Sequence, residues 1–344
     1  MFCSEGPFVY GNQTSMGNNE RVINHYLSAR AELDAPGSPF ATIISDVRGA
    51  PVRVFASAPA NLRMLWESTV AHGDKDYLVY EDERYTYAEI HAQVRKFAHY
   101  LTSQGVGRHS RVALAMRNYP EWVVGYWATV SIGAAVVGMN AWWTAPEMEY
   151  ALNDSQPEVI VADDERLERL SHIAGLKPIH VIAVRSDRDL PANAVRWADV
   201  MSGTDPGSLP VVEFDTDDDA TIFYTSGTTG LPKGAVHTQA GLLSNALASQ
   251  EAHDFNAHDI VLSTLPMFHV GGLCIQTLPA LLAGVSVHLH PRFDAKAWLS
   301  AVSEGSSETR PTLSLLVPAT LRAVLEHPDW PSANLQSLRG IMAG

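Results

Sequence analysis

Cysteine is nearly missing from this sequence: Cys3 and Cys274 are the two found in 344 residues. They lie too far apart to form a disulfide framework, and a reducing, cytoplasmic setting is expected. Positive charge is scarce as well. Lys and Arg number 24 against 38 Asp and Glu, a formal net charge of −14, so the mean field disfavours DNA, RNA and anionic membrane surfaces. Any anionic ligand must be gripped by a local feature. No apolar run reaches the ~18 residues a membrane span needs, and residues 1–20 carry neither the basic start nor the apolar stretch of a secretory leader. Patterns of the HExxH, CxxC or Gly-x-Ser-x-Gly type are absent, which argues against zinc-hydrolase and serine-esterase chemistry. Repeats and low-complexity tracts are absent too. Against these absences stands a 46% hydrophobic content, ample for a core, in a chain long enough for two lobes at about 150 residues per domain. The expected partner is a small molecule.

What is present is alternation. Residues 1–58 have weak period and are punctuated by Pro36-Gly37-Ser38-Pro39, so they read as an N-terminal arm. From Asn61 the spacing Leu62, Leu65, Trp66, Thr69 predicts a helix, and Tyr77-Leu-Val-Tyr80 with Arg84-Tyr-Thr-Tyr87 predicts a short hairpin. A stripe of Ile90, Val94, Phe97, Ala98 and Leu101 is a helix ended by Gly105; Val112-Ala-Leu-Ala-Met116 is a buried strand; Pro120 opens another helix. Ala135-Val-Val-Gly-Met139, Val159-Ile-Val-Ala162 and Val181-Ile-Ala-Val184 continue the strands, with a capping box at Thr144-Ala-Pro-Glu147. Short apolar strands separated by amphipathic helices imply βαβ crossovers and parallel sheets covered on both faces. Residues 186–210 read as a connection. Beyond it come strands at 221–225, 260–263, 285–289, 313–317 and 338–344, and helices at 242–252, 271–282 and 318–325. The fold class is therefore α/β, two doubly wound, mostly parallel lobes at 59–210 and 211–344.

The densest chemical signal is Tyr224-Thr-Ser-Gly-Thr-Thr-Gly-Leu-Pro-Lys-Gly234. Its glycines permit positive φ and close backbone approach, so consecutive N–H groups can face one set of phosphate oxygens. Its hydroxyls add movable donors, and Lys233, beside the stiffening Pro232, adds the one full positive charge. In an open α/β sheet such a loop sits at the carboxyl end of its strand, where ligands bind. It is not a Walker loop, because Lys233 lies three residues beyond Gly230. The alternative is a surface turn without a ligand, but the preceding strand, the lack of acidic groups and the Lys-Gly ending favour phosphate.

Here the sequence resembles the adenylate-forming superfamily of acyl-CoA synthetases, luciferases and peptide-synthetase adenylation domains. Thr225-Ser-Gly-Thr-Thr-Gly-x-Pro-Lys-Gly234 looks like its signature loop. Tyr85-Thr-Tyr-Ala-Glu-Ile90, Asn140 through Asn153-Asp154-Ser155, Pro266-Met-Phe-His-Val-Gly-Gly272 and Val317-Pro318 agree with it, and the Asn140 and 265–273 segments look most like fatty acyl-CoA ligases. The resemblance implies the N-terminal domain of an ATP-dependent acyl-CoA ligase, joining a fatty or related carboxylic acid to coenzyme A through an acyl-adenylate, with ATP, Mg²⁺ and CoA as co-substrates. It assigns the phosphates to Thr225, Ser226, Gly227, Thr228, Thr229, Gly230, Lys233 and Gly234, and places His269 beside the reacting carboxylate. Gly271 and Gly272 either make room for an alkyl chain or merely loosen a helix start.

Other features read as structural. Trp142 and Trp143 look like packing, Asp215, Asp217, Asp218 and Asp219 like a solvated acidic turn, and His288 with His290 lacks a third ligand, so no metal site is assigned. The family's later parts, a Thr-Glu metal segment, a ribose-binding Asp and a C-terminal domain with a catalytic lysine, have no counterpart here. The chain is expected to be a truncated front part that adenylates poorly alone and associates through an exposed sheet edge. A second reading makes it a non-catalytic nucleotide-phosphate or partner-binding remnant.

Overall fold

The computed structural model describes residues 14–173, 179–225, 230–306 and 308–343. The chain divides into two compact units, Met1–Ala58 and Pro59–Gly344. In the first, α1 (Thr14–Leu33) precedes a hairpin of β1 (Thr42–Val47) and β2 (Ala50–Phe55). Arg48 and Gly49 turn this hairpin with φ of 54° and 80°, the primed geometry that matches strand twist. The reading of residues 1–58 as an aperiodic arm misses these elements, because Arg-Gly is a weaker turn signal than Asn-Gly or Asp-Gly.

The second unit opens with α2 (Leu62–Ser68), capped by Asn61, whose Oδ1 accepts from Met64 N at 2.9 Å. The hairpin of β3 (Asp76–Tyr80) and β4 (Glu83–Thr86) runs into α3 (Tyr87–Ser103), which starts on the Thr86/Glu89 capping box and buries Ile90, Val94, Phe97 and Leu101. Strands β5 (Arg111–Ala115), β6 (Ala135–Gly138), β7 (Val159–Asp163) and β8 (His180–Val184) then alternate with α4 (Pro120–Val130), α5 (Ala145–Ser155) and α6 (Asp164–Ser171). The interval 186–210 is not a bare connection: it holds β9 (Ala194–Arg196) and α7 (Trp197–Met201), too short to show a period. There follow β10 (Asp219–Thr225), β11 (Lys233–Thr238), α8 (Gln239–Ala252), β12 (Ile260–Ser263), β13 (Ser286–Leu289), β14 (Leu313–Leu316) and β15 (Gly340–Ala343).

These strands make a seven-stranded sheet in the order β11-β10-β6-β5-β7-β8-β9 and a six-stranded sheet in the order β15-β14-β12-β13-β3-β4. Every pairing in them is parallel except β10 with β11 and β3 with β4. The central strands are buried along their length except at Arg111, as continuous apolar runs require. A cut at residue 210 does not separate the sheets. β10 pairs with β6, Thr221 opposite Val136, while β3 pairs with β13, Leu78 opposite Val287. Alternation along the chain counts strands but does not assign them to a sheet, because pairing is non-local. β15 and β4 form the two edges of the six-stranded sheet. No helix among the described residues is long and apolar enough to cross a membrane.

Where α2, α3 and α4 meet, Trp66 is fully buried between His91, ring centroids 3.9 Å apart, and Trp127, 5.1 Å apart. Thr69 hydroxyl pairs with the His91 ring at 3.0 Å. Burial pushes the His91 pKa down to about 4. Its unfolded value is about 6.5, so between those values the unfolded chain binds more protons and stability falls as pH drops. The unfolding free energy from denaturant titrations at pH 7 and pH 4 should fall by up to about 3 kcal/mol through this group. His91→Leu should flatten that slope, and an unchanged slope would refute the assignment.

Candidate functional site

The phosphate-type loop leaves the sheet at the carboxyl end of β10 and returns as β11, with Thr225 opposite Lys233. Ser226, Gly227, Thr228 and Thr229 lie outside the described residues. What is described is the frame that holds the loop. Tyr224 hydroxyl donates to Asp154 Oδ2 at 2.6 Å, and Tyr150 hydroxyl donates to the Pro232 carbonyl at 3.1 Å, so α5 ties down both ends. Thr225 Oγ1 donates to the Lys233 carbonyl at 3.4 Å. Gly230 has φ of 119°, a conformation that L side chains rarely adopt. The Lys233 side chain is exposed. The sequence offered no strand at 233–238; seven intervening residues, 226–232, are too few for a crossover helix, so the return is antiparallel.

A cavity of about 660 Å³ opens at the carboxyl ends of β5, β6, β12, β13 and β14, the edge where parallel sheets bind ligands. Its wall is largely apolar, with Phe268, Ile275, Phe293, Leu315 and Val317, and it includes His269 and Gly271. Phe268, next to His269 in the chain, comes close to the loop strand over Gly138. A methyl there would stand 3.0 Å from the Phe223 ring and 3.1 Å from the Phe268 carbonyl, so the glycine permits an approach that a side chain would block.

His269 caps the turn at 270–272: its Nδ1 accepts from Gly271 N at 3.2 Å. Burial against the apolar wall lowers its pKa. The neutral ring with Nδ1 occupied as an acceptor carries its proton on Nε2, a donor suited to a carboxylate oxygen. The expected helix at 271–282 is interrupted. Residues Leu273–Thr277 form a π-turn, and Thr277 Oγ1 donates to the Gly272 carbonyl at 2.7 Å. Such widened turns recur at functional sites. The two glycines now separate: Gly271 lines the cavity, whereas Gly272 packs on the backbone of Leu265 and Pro266.

The adjacent tryptophans separate too. Trp143 is 7% exposed and packs edge-on to Tyr224, as packing predicts. Trp142 is 56% exposed, lines the cavity, meets Phe268 edge-on at 5.3 Å and lies under the Arg117 guanidinium at 5.7 Å. Reading it as packing is corrected: Trp142 stands in the turn at 141–142 beyond β6 and faces the cavity, while Trp143 turns into the core. Asp218 also departs from the solvated-turn reading. It is 6% exposed and accepts from Arg108 through both oxygens at 2.8 Å. Among the described residues no trio of His, Cys, Asp or Glu is placed to hold a metal. Cys274 is buried, and desolvation pushes its thiol up to about 12, so it is no nucleophile.

Three lining residues went unnoticed in the sequence. Arg117 and Thr264 each keep a buried polar atom without a hydrogen-bond partner in the structure, and Asn118 is 2% exposed. None stands in a motif, and only the convergence of strand ends reveals them.

The family described as AMP-binding enzyme matches residues 65–344. An indoleacetate–CoA ligase of Aromatoleum aromaticum is 35% identical over 260 residues, 75% of this chain and 50% of that protein. The N-terminal domain of FACL13 from Mycobacterium tuberculosis, solved with an inhibitor bound, aligns with a TM-score of 0.69 at 29% identity, over 83% of this chain and 70% of that one. ATP-bound MatB from Rhodopseudomonas palustris aligns with a TM-score of 0.70 at 26% identity, over 83% and 55%. The chain spans about half the length of the curated relatives it matches.

Proposed function

Since the chain belongs to the AMP-binding enzyme family, we propose that it serves an ATP-dependent acid–thiol ligase acting on a hydrophobic carboxylic acid, alkyl or aryl. The acid's carboxylate oxygen attacks the α-phosphorus of MgATP, the bond to the β-phosphate bridging oxygen breaks, and pyrophosphate leaves an acyl-adenylate. The thiol of coenzyme A then attacks the carbonyl carbon, and AMP departs as the thioester forms. Such transfers need positioning and charge neutralisation more than covalent help.

The loop at 225–234 is assigned the β- and γ-phosphates: its amides and hydroxyls as donors, Lys233 as the charge. Magnesium enters on the triphosphate as part of the substrate. The Nε2–H of His269 is assigned to the carboxylate, and the apolar wall to the rest of the acid. A cytoplasmic location belongs to the same reading, with Cys274 buried as a thiol.

The observation that carries this is the joining, over Gly138, of the strand that bears the loop to the segment that bears His269 beside an apolar cavity. Calorimetric titration of this chain with MgATP and with indoleacetate or dodecanoate tests it. Both ligand classes should bind. MgATP without either acid would leave the phosphate-binding remnant, and neither would overturn the reading.

A further inference from the structure

We propose that Asn118 is a positioning residue for the carboxylic-acid subsite, holding the segment that carries His269 against the opposite sheet. The inference rests on the ligase reading of the cavity. Asn118 follows β5 in the seven-stranded sheet, yet its side chain bonds the segment that follows β12 of the six-stranded one. Its Nδ2 donates to the Leu265 carbonyl at 2.8 Å, and its Oδ1 accepts from Met267 N at 2.9 Å. Its backbone N–H also donates to the Pro291 carbonyl at 3.4 Å, just beyond β13. One buried residue thus joins three of the strand ends that wall the cavity, its side-chain amide reaching the segment past β12 and its backbone N–H the one past β13.

The two bonds bracket Pro266, three residues before the histidine, and they have opposite polarity. Only an amide donates to one backbone group and accepts from the next but one in this space. The segment's own backbone bonds are local: His269 N donates to Pro266 O at 3.2 Å, and Leu273 N donates to His269 O at 3.2 Å. Phe268, which meets the Trp142 ring, lies on the same segment. Moving it would displace Nε2 of His269 and the Phe268 wall together, whereas the loop at 225–234 is anchored separately, through Tyr224 and Tyr150 to α5.

That separation makes the role testable in this chain. Asn118→Ala and Asn118→Asp are compared with the unmodified protein by hydrogen exchange and by titration with indoleacetate, dodecanoate and MgATP. Loss of a buried hydrogen-bonded amide should weaken both acids about tenfold or more while MgATP stays within about twofold. Exchange over 264–269 should accelerate about tenfold while β5 and β12 keep their protection. Asn118→Asp retains the acceptor for Met267 N–H, so it should preserve protection there that Asn118→Ala loses, and it serves as the folded variant if alanine unfolds the chain. Acid affinity unchanged in a folded variant would overturn the proposal, and so would equal losses for acid and MgATP. Failure of the unmodified chain to bind either acid would instead strike the ligase reading itself.

Discussion

Lys233→Ala should weaken MgATP binding by roughly tenfold to a hundredfold while leaving thermal unfolding where it was. A charge-assisted hydrogen bond to a phosphate oxygen is worth about 1.5–3 kcal/mol, and every 1.4 kcal/mol is a factor of ten. Lys233 is exposed at the first position of β11, and the strand pairing there uses its backbone rather than its ammonium group. Removing the charge therefore subtracts from the ligand and not from the fold. Binding by the unmodified chain should also weaken as salt rises, since an exposed cation is screened within about 8–10 Å at physiological ionic strength. Calorimetry at two salt concentrations checks both points. Equal heats for the two proteins would remove the loop from the phosphate role, and with it the ligase assignment.

Gly272→Ala should damage the protein where Gly271→Ala does not. A methyl on Gly272 collides with the backbone oxygens of Leu265 and Pro266, whereas one on Gly271 stands 3.2 Å from a Leu265 side-chain methyl that can turn aside. Overpacking costs about 1–3 kcal/mol when neighbours adjust, and more when the neighbour is main chain. The collision falls on the segment that Asn118 clamps, so the expected outcome is a loss of about 3 kcal/mol or more in denaturant stability. Acid binding should fall with it, at a concentration where Gly271→Ala still binds. Equal midpoints for the two variants would show that the turn after His269 has slack that its geometry denies.

The structure also explains why some readings of the chain were secure and others were not. The capping box at Thr144 and the helix start at Pro120 were legible, because each is settled by residues within one turn. So was the strand that ends at Thr225. The hairpin at Arg48-Gly49 and the strand at 233–238 were not, since both depend on pairing between segments that carry weak signals of their own. Trp142 and Trp143 are alike in sequence and opposite in role, one on the cavity and one in the core.

By itself, then, the order of amino acids determined the α/β alternation, the glycine and hydroxyl loop with its lysine, and the kinship these carry, all of them properties of short contiguous stretches. Tertiary structure alone decided which sheet each strand joined, that β3 and β4 complete the later sheet while β10 and β11 complete the earlier one, and that Asn118 reaches 147 residues along the chain to Leu265. The reason is physical: helix starts and turns are governed by local backbone and side-chain geometry, whereas a cavity at the meeting of two sheets exists only after distant strands have paired and brought their ends together.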